Sequence, residues 1–460
     1  MQIQATKPIW YSIFKIHYYI SNTYQGEKMK SIKILAAAAA FCFVGQSFAT
    51  DWYVSPNGKN KNEGKSTSAP LKNIWKAIEL ASDGDVIRVA AGNYNGQMKQ
   101  GWIKLDKPVS IIGGYSNDFS SRDVVKNKTL FQPTNEMNGT KGQGILHLNY
   151  KGANSKVVID GFIFDQGEAN SYHPVEGKPE GVETGMWLEP PSKGNTTFPS
   201  LNNYSLYGEN SEGDLTIQNC VFVNAGNIAL NLNHVAGKVK VLNNIFIANR
   251  IVGANVQAKQ NKVDAVDYEF AYNTVMFTWT RTKLFEDMGY GVRANTNCIT
   301  RVHNNILALN MMAGFDNTKG DPKSKKVYLD KNAFILNKKG DVTVTVSPNI
   351  LWLNVADGAF EDLEDAPSIQ SLNGNISISD PSIFKGKINQ AYLEGFLNAT
   401  YTEQASYNEN SPANLFRAAM GLNKQGSIKS KVSMFMNKYP MEEALNLFGL
   451  MEGYGAQKQK

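Results

Sequence analysis

The sequence predicts an all-β solenoid, and three observations carry that expectation. The first is an eight-residue pattern that occurs six times, at Val157–Phe164, Leu215–Phe222, Val239–Phe246, Tyr268–Val275, Thr300–Leu307 and Val327–Phe334. Its first and third positions are mostly apolar, as in a half-buried strand. The sixth position holds Asn244, Asn273, Asn305 and Asn332, and the eighth holds Phe164, Phe222, Phe246 and Phe334. The second observation is the period. From Cys220 through Asn244, Asn273 and Asn305 to Asn332, successive copies lie 24, 29, 32 and 27 residues apart, the size of one solenoid coil. The third is length: 460 residues exceed what one ordinary core organises, whereas each coil of a solenoid contacts only its neighbours. The pattern then reads as a strand, a polar bend and a second short strand. Asn suits the bend through its tolerance of left-handed backbone, and stacked copies predict an amide ladder beside a Phe stack.

Residues 29–49 read as a secretory signal: Lys30 and Lys33, an apolar stretch through Ala36–Ala40, and the small-x-small ending Ser47-Phe48-Ala49. Cleavage is expected after Ala49, and residues 1–28 are expected to be an upstream extension absent from the mature protein. Residues 1–49 hold Lys7, Lys15, Lys28, Lys30, Lys33 and one acid, Glu27, so without them the net charge falls from +6 to +2. A near-neutral mature chain gives no global case for nucleic acid. Nothing later in the sequence is apolar enough to span a membrane.

The mature chain opens with Asp51-Trp-Tyr-Val, a strand, followed by a Gly- and Ser-rich loop. Helical spacing follows over 70–82, with Ile74, Ala77, Ile78 and Ala81 on one face, then a stop at Asp83-Gly-Asp85 and a strand over 86–90. A helix here can cover the open end of the first coil. Tyr53, Val54, Ser55, Pro56, Gly58, Pro70, Gly84, Asp85, Gly92 and Tyr94 follow the pattern Tyr-Val-Ser-Pro-x-Gly, Pro, amphipathic helix, Gly-Asp, strand, Gly-x-Tyr. That opening, taken with the repeats over roughly 51–380, resembles secreted proteins of the pectate-lyase-like superfamily. The resemblance implies a right-handed single-stranded parallel β-helix over 50–384.

Two segments break the period, 165–214 and 276–299. Insertions in repeat proteins become loops on one face, often the binding face. Both leave the solenoid after position eight, about three coils apart, so they are expected to flank one groove. After 385, Asn410-Ser-Pro412 to Gly421 and Lys438-Tyr-Pro440 to Gly449 read as short helices that cap or dock on the last coils, with a frayed end from Tyr454. Cys220 and Cys298 fall about three coils, roughly 14 Å, apart, too far for a disulfide, and read as buried fillers.

No catalytic motif of the resembling enzymes is present. There is no Asp-Asp pair or Gly-His-Gly of the β-helix hydrolases, and no Trp-x-Asp-His or Arg-x-Pro-x-x-Arg of common pectate lyases. Need-based chemistry remains. Lyase-type elimination on a polyuronate requires carboxylate neutralisation and a base, which a bound cation and an Arg or Lys can supply. On that basis Arg281, Lys283 and Arg293 are the catalytic candidates, in a loop where alanine substitution should leave stability unchanged. Trp187, Trp279, Tyr290, Glu183 and Glu189 are the substrate-binding candidates. Asp267 and Glu269, on one strand face, are the metal candidates, for Ca²⁺. The competing use of Glu269 is a surface ion-pair ladder with Lys240 and Arg301 on neighbouring coils. His147 and His234 have no clustered partners in the sequence. His173 reads as structural, and His303 as hydrogen-bonded rather than ligating.

The resulting expectation is an exported, monomeric, carbohydrate-active β-helix protein that binds or cleaves an extended acidic polysaccharide. Its partner is an extracellular glycan, with no nucleic acid and no membrane insertion after signal cleavage. The alternative is a non-catalytic extracellular binding or structural protein.

Overall fold

A computed structural model describes residues 49–97, 102–132, 144–166, 204–279, 289–346, 349–355, 366–400, 409–410, 412–424 and 438–458. The segments expected to be a signal, apart from Ala49, and an upstream extension lie outside them.

Strands from successive coils stack into three sheets of ten, nine and nine strands. All neighbours are parallel, except that Asn349–Leu353 returns antiparallel on Gly340–Val346 at the end of the third sheet. One coil shows the plan. Val266–Ala271 belongs to the first sheet, Thr274–Met276 to the second and Tyr290–Ala294 to the third. This is the right-handed parallel β-helix that the resemblance implies.

The repeat's alternation sets which side chains enter the core. Ile159, Ile217, Val241, Phe270, Val302 and Leu329 share one register line of the first sheet and all are buried. On the second sheet the middle residue of each short strand points in. Phe164, Phe222 and Phe246 stack with ring centroids 4.7 and 4.6 Å apart and nearly parallel planes. Full burial of such side chains contributes about 1.5–3 kcal/mol each.

The bend between first and second sheets differs from the expectation in one respect. The left-handed residue is not the ladder Asn but the one before it: Asn219, Asn243, Tyr272, Asn304 and Lys331 have φ between 53° and 57°. That inversion turns the next side chain inward, where it satisfies backbone groups that no strand can reach. Asn273 Oδ1 accepts from the backbone N–H and the Nδ2 of Asn244, both at 2.9 Å, and Asn273 Nδ2 donates to Val241 O at 2.8 Å. Asn305 and Asn332 repeat the arrangement, and all four ladder residues are fully buried. Cys220 fills the next position, its N–H donating to Asn244 Oδ1. Both Cys220 and Cys298 are free and buried.

A second ladder stands at the corner between second and third sheets. Asn249 Oδ1 accepts from Ala225 N, Asn310 Oδ1 from Thr278 N, and Asn337 Oδ1 from Asn310 N and Nδ2.

The N-terminal helix, Ile74–Leu80, buries Ile74, Ala77 and Ile78 against the first coil. Asp85 fastens this cap by accepting from Thr50 N, Ser82 N and Trp52 Nε1. Gly92 is required where it stands: φ is 151°, and a Cβ there would meet Pro56 Cγ at 2.2 Å.

The described part of the C-terminal segment docks along the second sheet, from the late coils back to earlier ones. Helices Gln390–Thr400, Pro412–Ala419 and Met441–Ala444 belong to an apolar cluster with the outward side chains of the second sheet, including Val223, Ile247, Met276, Ala308 and Ile335. The chain runs back along that sheet. Tyr439 and Asn224 exchange two hydrogen bonds, and Lys128 pairs with Glu442 at 2.6 Å. The expected fraying from Tyr454 is also overturned through Lys458. Gly455 N donates to Asn304 O, Ala456 N to Thr274 Oγ1 and Gln457 N to Asn243 Oδ1. The apolar outer face of the second sheet needs this cover, because a solenoid core lies only inside the coils.

Candidate functional site

Both insertions leave the coil at one connection. The first joins Ile163–Asp165 of the second sheet to Tyr204–Glu209 of the third, and the later one joins Thr274–Met276 to Tyr290–Ala294. In the second sheet those departure strands are three places apart. The third sheet begins where both insertions return to the coil, and the side chains of its outward face form the candidate site.

Register places Lys104, His147, Tyr207, Asn231, Asn255, Arg293, Asp316 and Thr343 in one outward line, one residue per coil. A parallel line two residues on holds Glu209, Asn233 and Gln257. Polar residues occur there because the opposite side of each strand is occupied by core side chains such as Leu230, Leu232, Ala254, Val256 and Val292.

The two lines differ in access. Asn231, Asn255, Arg293, Asp316 and Thr343 are buried. Asn255 Nδ2 donates to Asn231 Oδ1 at 2.8 Å. Arg293 Nε lies 2.5 Å from Asp316 Oδ2, and Asp316 Oδ1 also accepts from Thr318 N and Oγ1. Lys104 is exposed, while Tyr207, Glu209, Asn233 and Gln257 are half-buried, so the open strip lies toward the N-terminal coils.

His147 sits at the edge of that strip. Its ring is 5.2 Å from the Tyr207 ring, and its Nε2 is 3.9 Å from Glu209 Oε2. Nε2 is buried and has no hydrogen-bond partner among the described residues. Burial lowers the imidazole pKa, Glu209 opposes that and Lys104 adds to it, with a net fall below the ordinary value. Burial, aided by Glu209, pushes the Tyr207 phenol up to about 12. At neutral pH this corner therefore presents a neutral imidazole beside a protonated phenol. His147, without visible partners in the sequence, has two in space.

No protein-family model and no curated protein matches the chain. Solved structures do. Pectate lyase Pel9A is 13% identical with a TM-score of 0.39, the match covering 84% of this chain and 90% of that one. A rhamnogalacturonan lyase is 12% identical with a TM-score of 0.31, over 75% of this chain and 94% of that one. A complex of XylC with xylose is 9% identical with a TM-score of 0.23, over 71% and 83%. At such identities the likeness is one of fold alone.

Within this parallel coil, the sequence-derived candidates fall in different places. Arg281, Lys283, Trp187, Glu183 and Glu189, with His173, lie outside the described residues. Arg293 is not a loop cation. It stands in the strand Tyr290–Ala294 with Asp316 as its partner, 7% exposed. Tyr290 and Trp279 are not sugar platforms either. Both are buried, Tyr290 under the Arg293 guanidinium at 5.1 Å and Trp279 against Arg250 at 5.0 Å. The period hid this, because the insertion is shorter than 276–299 and the third-sheet strand resumes at Tyr290.

Asp267 and Glu269 do not fit a Ca²⁺ site. Arg301 Nε lies 3.0 and 3.3 Å from the two Asp267 oxygens, and Glu269 faces Lys240 and His303, each at 3.4 Å. Arg301 and Lys240 occupy the carboxylates in the ladder arrangement, although Arg301 pairs with Asp267 rather than Glu269. Among the described residues no three His, Cys, Asp or Glu side chains converge on a metal position. His303 is hydrogen-bonded to Asn304 Oδ1. His234 Nε2–H donates to Gly213 O at 2.8 Å.

One buried amine is a low-pKa group of the kind a base requires. Burial lowers Lys325 to about 8. Its Nζ nevertheless donates to the carbonyls of Ala294, Asn317 and Lys319, which spends its donors on holding the chain.

Proposed function

We propose that this chain binds an extended, acidic polysaccharide along the open strip of the third sheet's outward face. One observation carries the reading. Glu209, Asn233 and Gln257 repeat in register on three consecutive coils, half-exposed, at the ~4.8 Å spacing of parallel strands. That spacing presents donors and acceptors periodically to a chain of hydroxyl-bearing sugar rings lying along the axis. Lys104, exposed at one end, supports an anionic sugar. The signal-like segment 29–49 supports export, with a mature N-terminus at or near Thr50, which N-terminal sequencing of secreted material would decide.

A second reading, elimination, is favoured by the pair His147 and Tyr207. A neutral imidazole accepts the proton next to the uronate carboxyl. The C–O bond to the leaving sugar breaks as the C=C bond forms, and a phenol kept protonated donates to the leaving oxygen.

The test is a panel of polyuronates and glycosaminoglycans. Binding is read by calorimetry and cleavage by absorbance of the unsaturated product. Asn233→Ala and Gln257→Ala should each weaken binding several-fold with unchanged unfolding curves. His147→Gln should abolish cleavage while retaining binding. No binding to any member of the panel by the wild type would overturn the proposal.

A further inference from the structure

The outward line of the third sheet ends at Lys104, because Ile103–Leu105 is the first strand of that sheet. Beyond it the capping helix supplies one wall of a cleft of about 550 Å³, lined by Trp75 and Glu79 of the helix region and by Trp102, Lys104 and Asp106. The wall is fixed rather than loose: Lys107 Nζ donates to the carbonyls of Glu79 and Ala81, both at 2.8 Å. Both indoles are half-buried, so each keeps part of its surface open. Trp102 Nε1 is itself buried and has no hydrogen-bond partner among the described residues. Among the described residues Lys104 Nζ has only a distant acid, Asp106 at 3.9 Å, and both side chains are exposed.

We propose that this cleft is a terminal subsite for one uronate unit of the bound chain. The indoles of Trp75 and Trp102 take the sugar's apolar face, and Lys104 meets the carboxylate. The proposal rests on the reading of the third-sheet face as a glycan track and adds to it the end at which the chain stops and the charge read there.

Galacturonate oligomers of increasing length, and the same oligomers with carboxyls reduced to alcohols, are titrated into the mature protein by calorimetry. Lys104→Ala should weaken uronate binding by about tenfold, the worth of one charge-assisted hydrogen bond, and leave the reduced oligomers unaffected. Trp102→Ala should weaken both series by at least that factor, and Trp75→Ala should behave alike. Lys104 is exposed, so its variant does not depend on the folding of a Trp variant. Gln257→Ala should weaken only oligomers long enough to leave the cleft. If Lys104→Ala and Trp102→Ala both bind like wild type while Gln257→Ala binds weakly, the track stands and the cleft falls. Equal loss of both series in Lys104→Ala overturns the carboxylate contact. No binding of either series by wild type overturns the track and the cleft together.

Discussion

Replacing Asn305 by Ala should cost far more than replacing its neighbour Asn304, although the two share one bend. Asn305 Oδ1 accepts from Asn273 N at 2.8 Å and from Asn273 Nδ2 at 3.1 Å. Its Nδ2 donates to Phe270 O, His303 O and Asn332 Oδ1, each at 2.9 Å. Truncation strands the buried Asn273 N–H and leaves Phe270 O without that donor, in a position no solvent reaches. At about 1–3 kcal/mol for each buried group left unsatisfied, the loss should be about 3–5 kcal/mol. Asn304 is half-buried, has φ of 55° and donates to Gly453 O. Asn304→Gly keeps the left-handed backbone and loses two partly exposed side-chain hydrogen bonds, with Gly453 O and His303 Nδ1, so it should cost only about 1–2 kcal/mol. Urea unfolding followed by circular dichroism compares the two, with hydrogen exchange at the Asn273 amide as a local readout, because solenoids can open in parts. A loss below about 1 kcal/mol for Asn305→Ala, or one equal to that of Asn304→Gly, would refute the claim that the inward amides hold the coils together.

Arg293→Ala should destabilise by about 3–5 kcal/mol, because it strands the fully buried Asp316 carboxylate, and joint replacement of both by apolar residues should cost less. Denaturation of the two singles and the double measures this coupling. The buried imidazoles of His147 and His234 have pKa values held down chiefly by burial. Their contribution to stability is therefore complete above the unfolded value of about 6.5 and is lost as pH falls through the lower folded values. Unfolding midpoints across that range should drop on acidification, and less so in His234→Asn. Ending the chain before Lys438 should uncover the second sheet's apolar face, removing Tyr439, Leu445, Leu447, Phe448 and Leu450 at about 1.5–3 kcal/mol each. Dye binding and light scattering should then both rise.

The fold was legible because the first and second sheets write themselves into the eight-residue pattern. One period-two strand, one bend and one Phe position repeat without insertion inside them. The left-handed residue was misplaced by one because Asn occupies both positions in several coils: Asn243 beside Asn244, and Asn304 beside Asn305. Either could take the positive φ on propensity alone. What separates them is that only the second can point inward and bond two coils. Tyr272 and Lys331, sitting left-handed before Asn273 and Asn332, carry that information in the sequence. The second ladder had a signal as well. Asn249, Asn310 and Asn337 each follow a first-ladder Asn by five residues, and Thr278 fills that place after Asn273.

The candidate site was less legible for a physical reason. The third sheet follows the connection that takes up the insertions, so its strands fall at no constant distance from the bend. Search by period therefore loses them and sees loop where strand resumes. A local pattern survives the loss of period. A small residue, an apolar one, a polar one and an apolar one recur as Ala229-Leu-Asn231-Leu, Gly253-Ala-Asn255-Val and Gly291-Val-Arg293-Ala, and Gly314-Phe-Asp316 begins the same way. The small residue is forced by the turn into the core: a Cβ on Gly253 would lie 2.7 Å from Gly291 O, and one on Gly291 would lie 2.5 Å from Gly314 O. With the glycines fixed by packing, the residue two positions later must face outward. Along most of the line that outward position still serves the fold, since Asn231 bonds Asn255 and Arg293 pairs with Asp316, all of them buried, and only Lys104 and Tyr207 leave polar groups open.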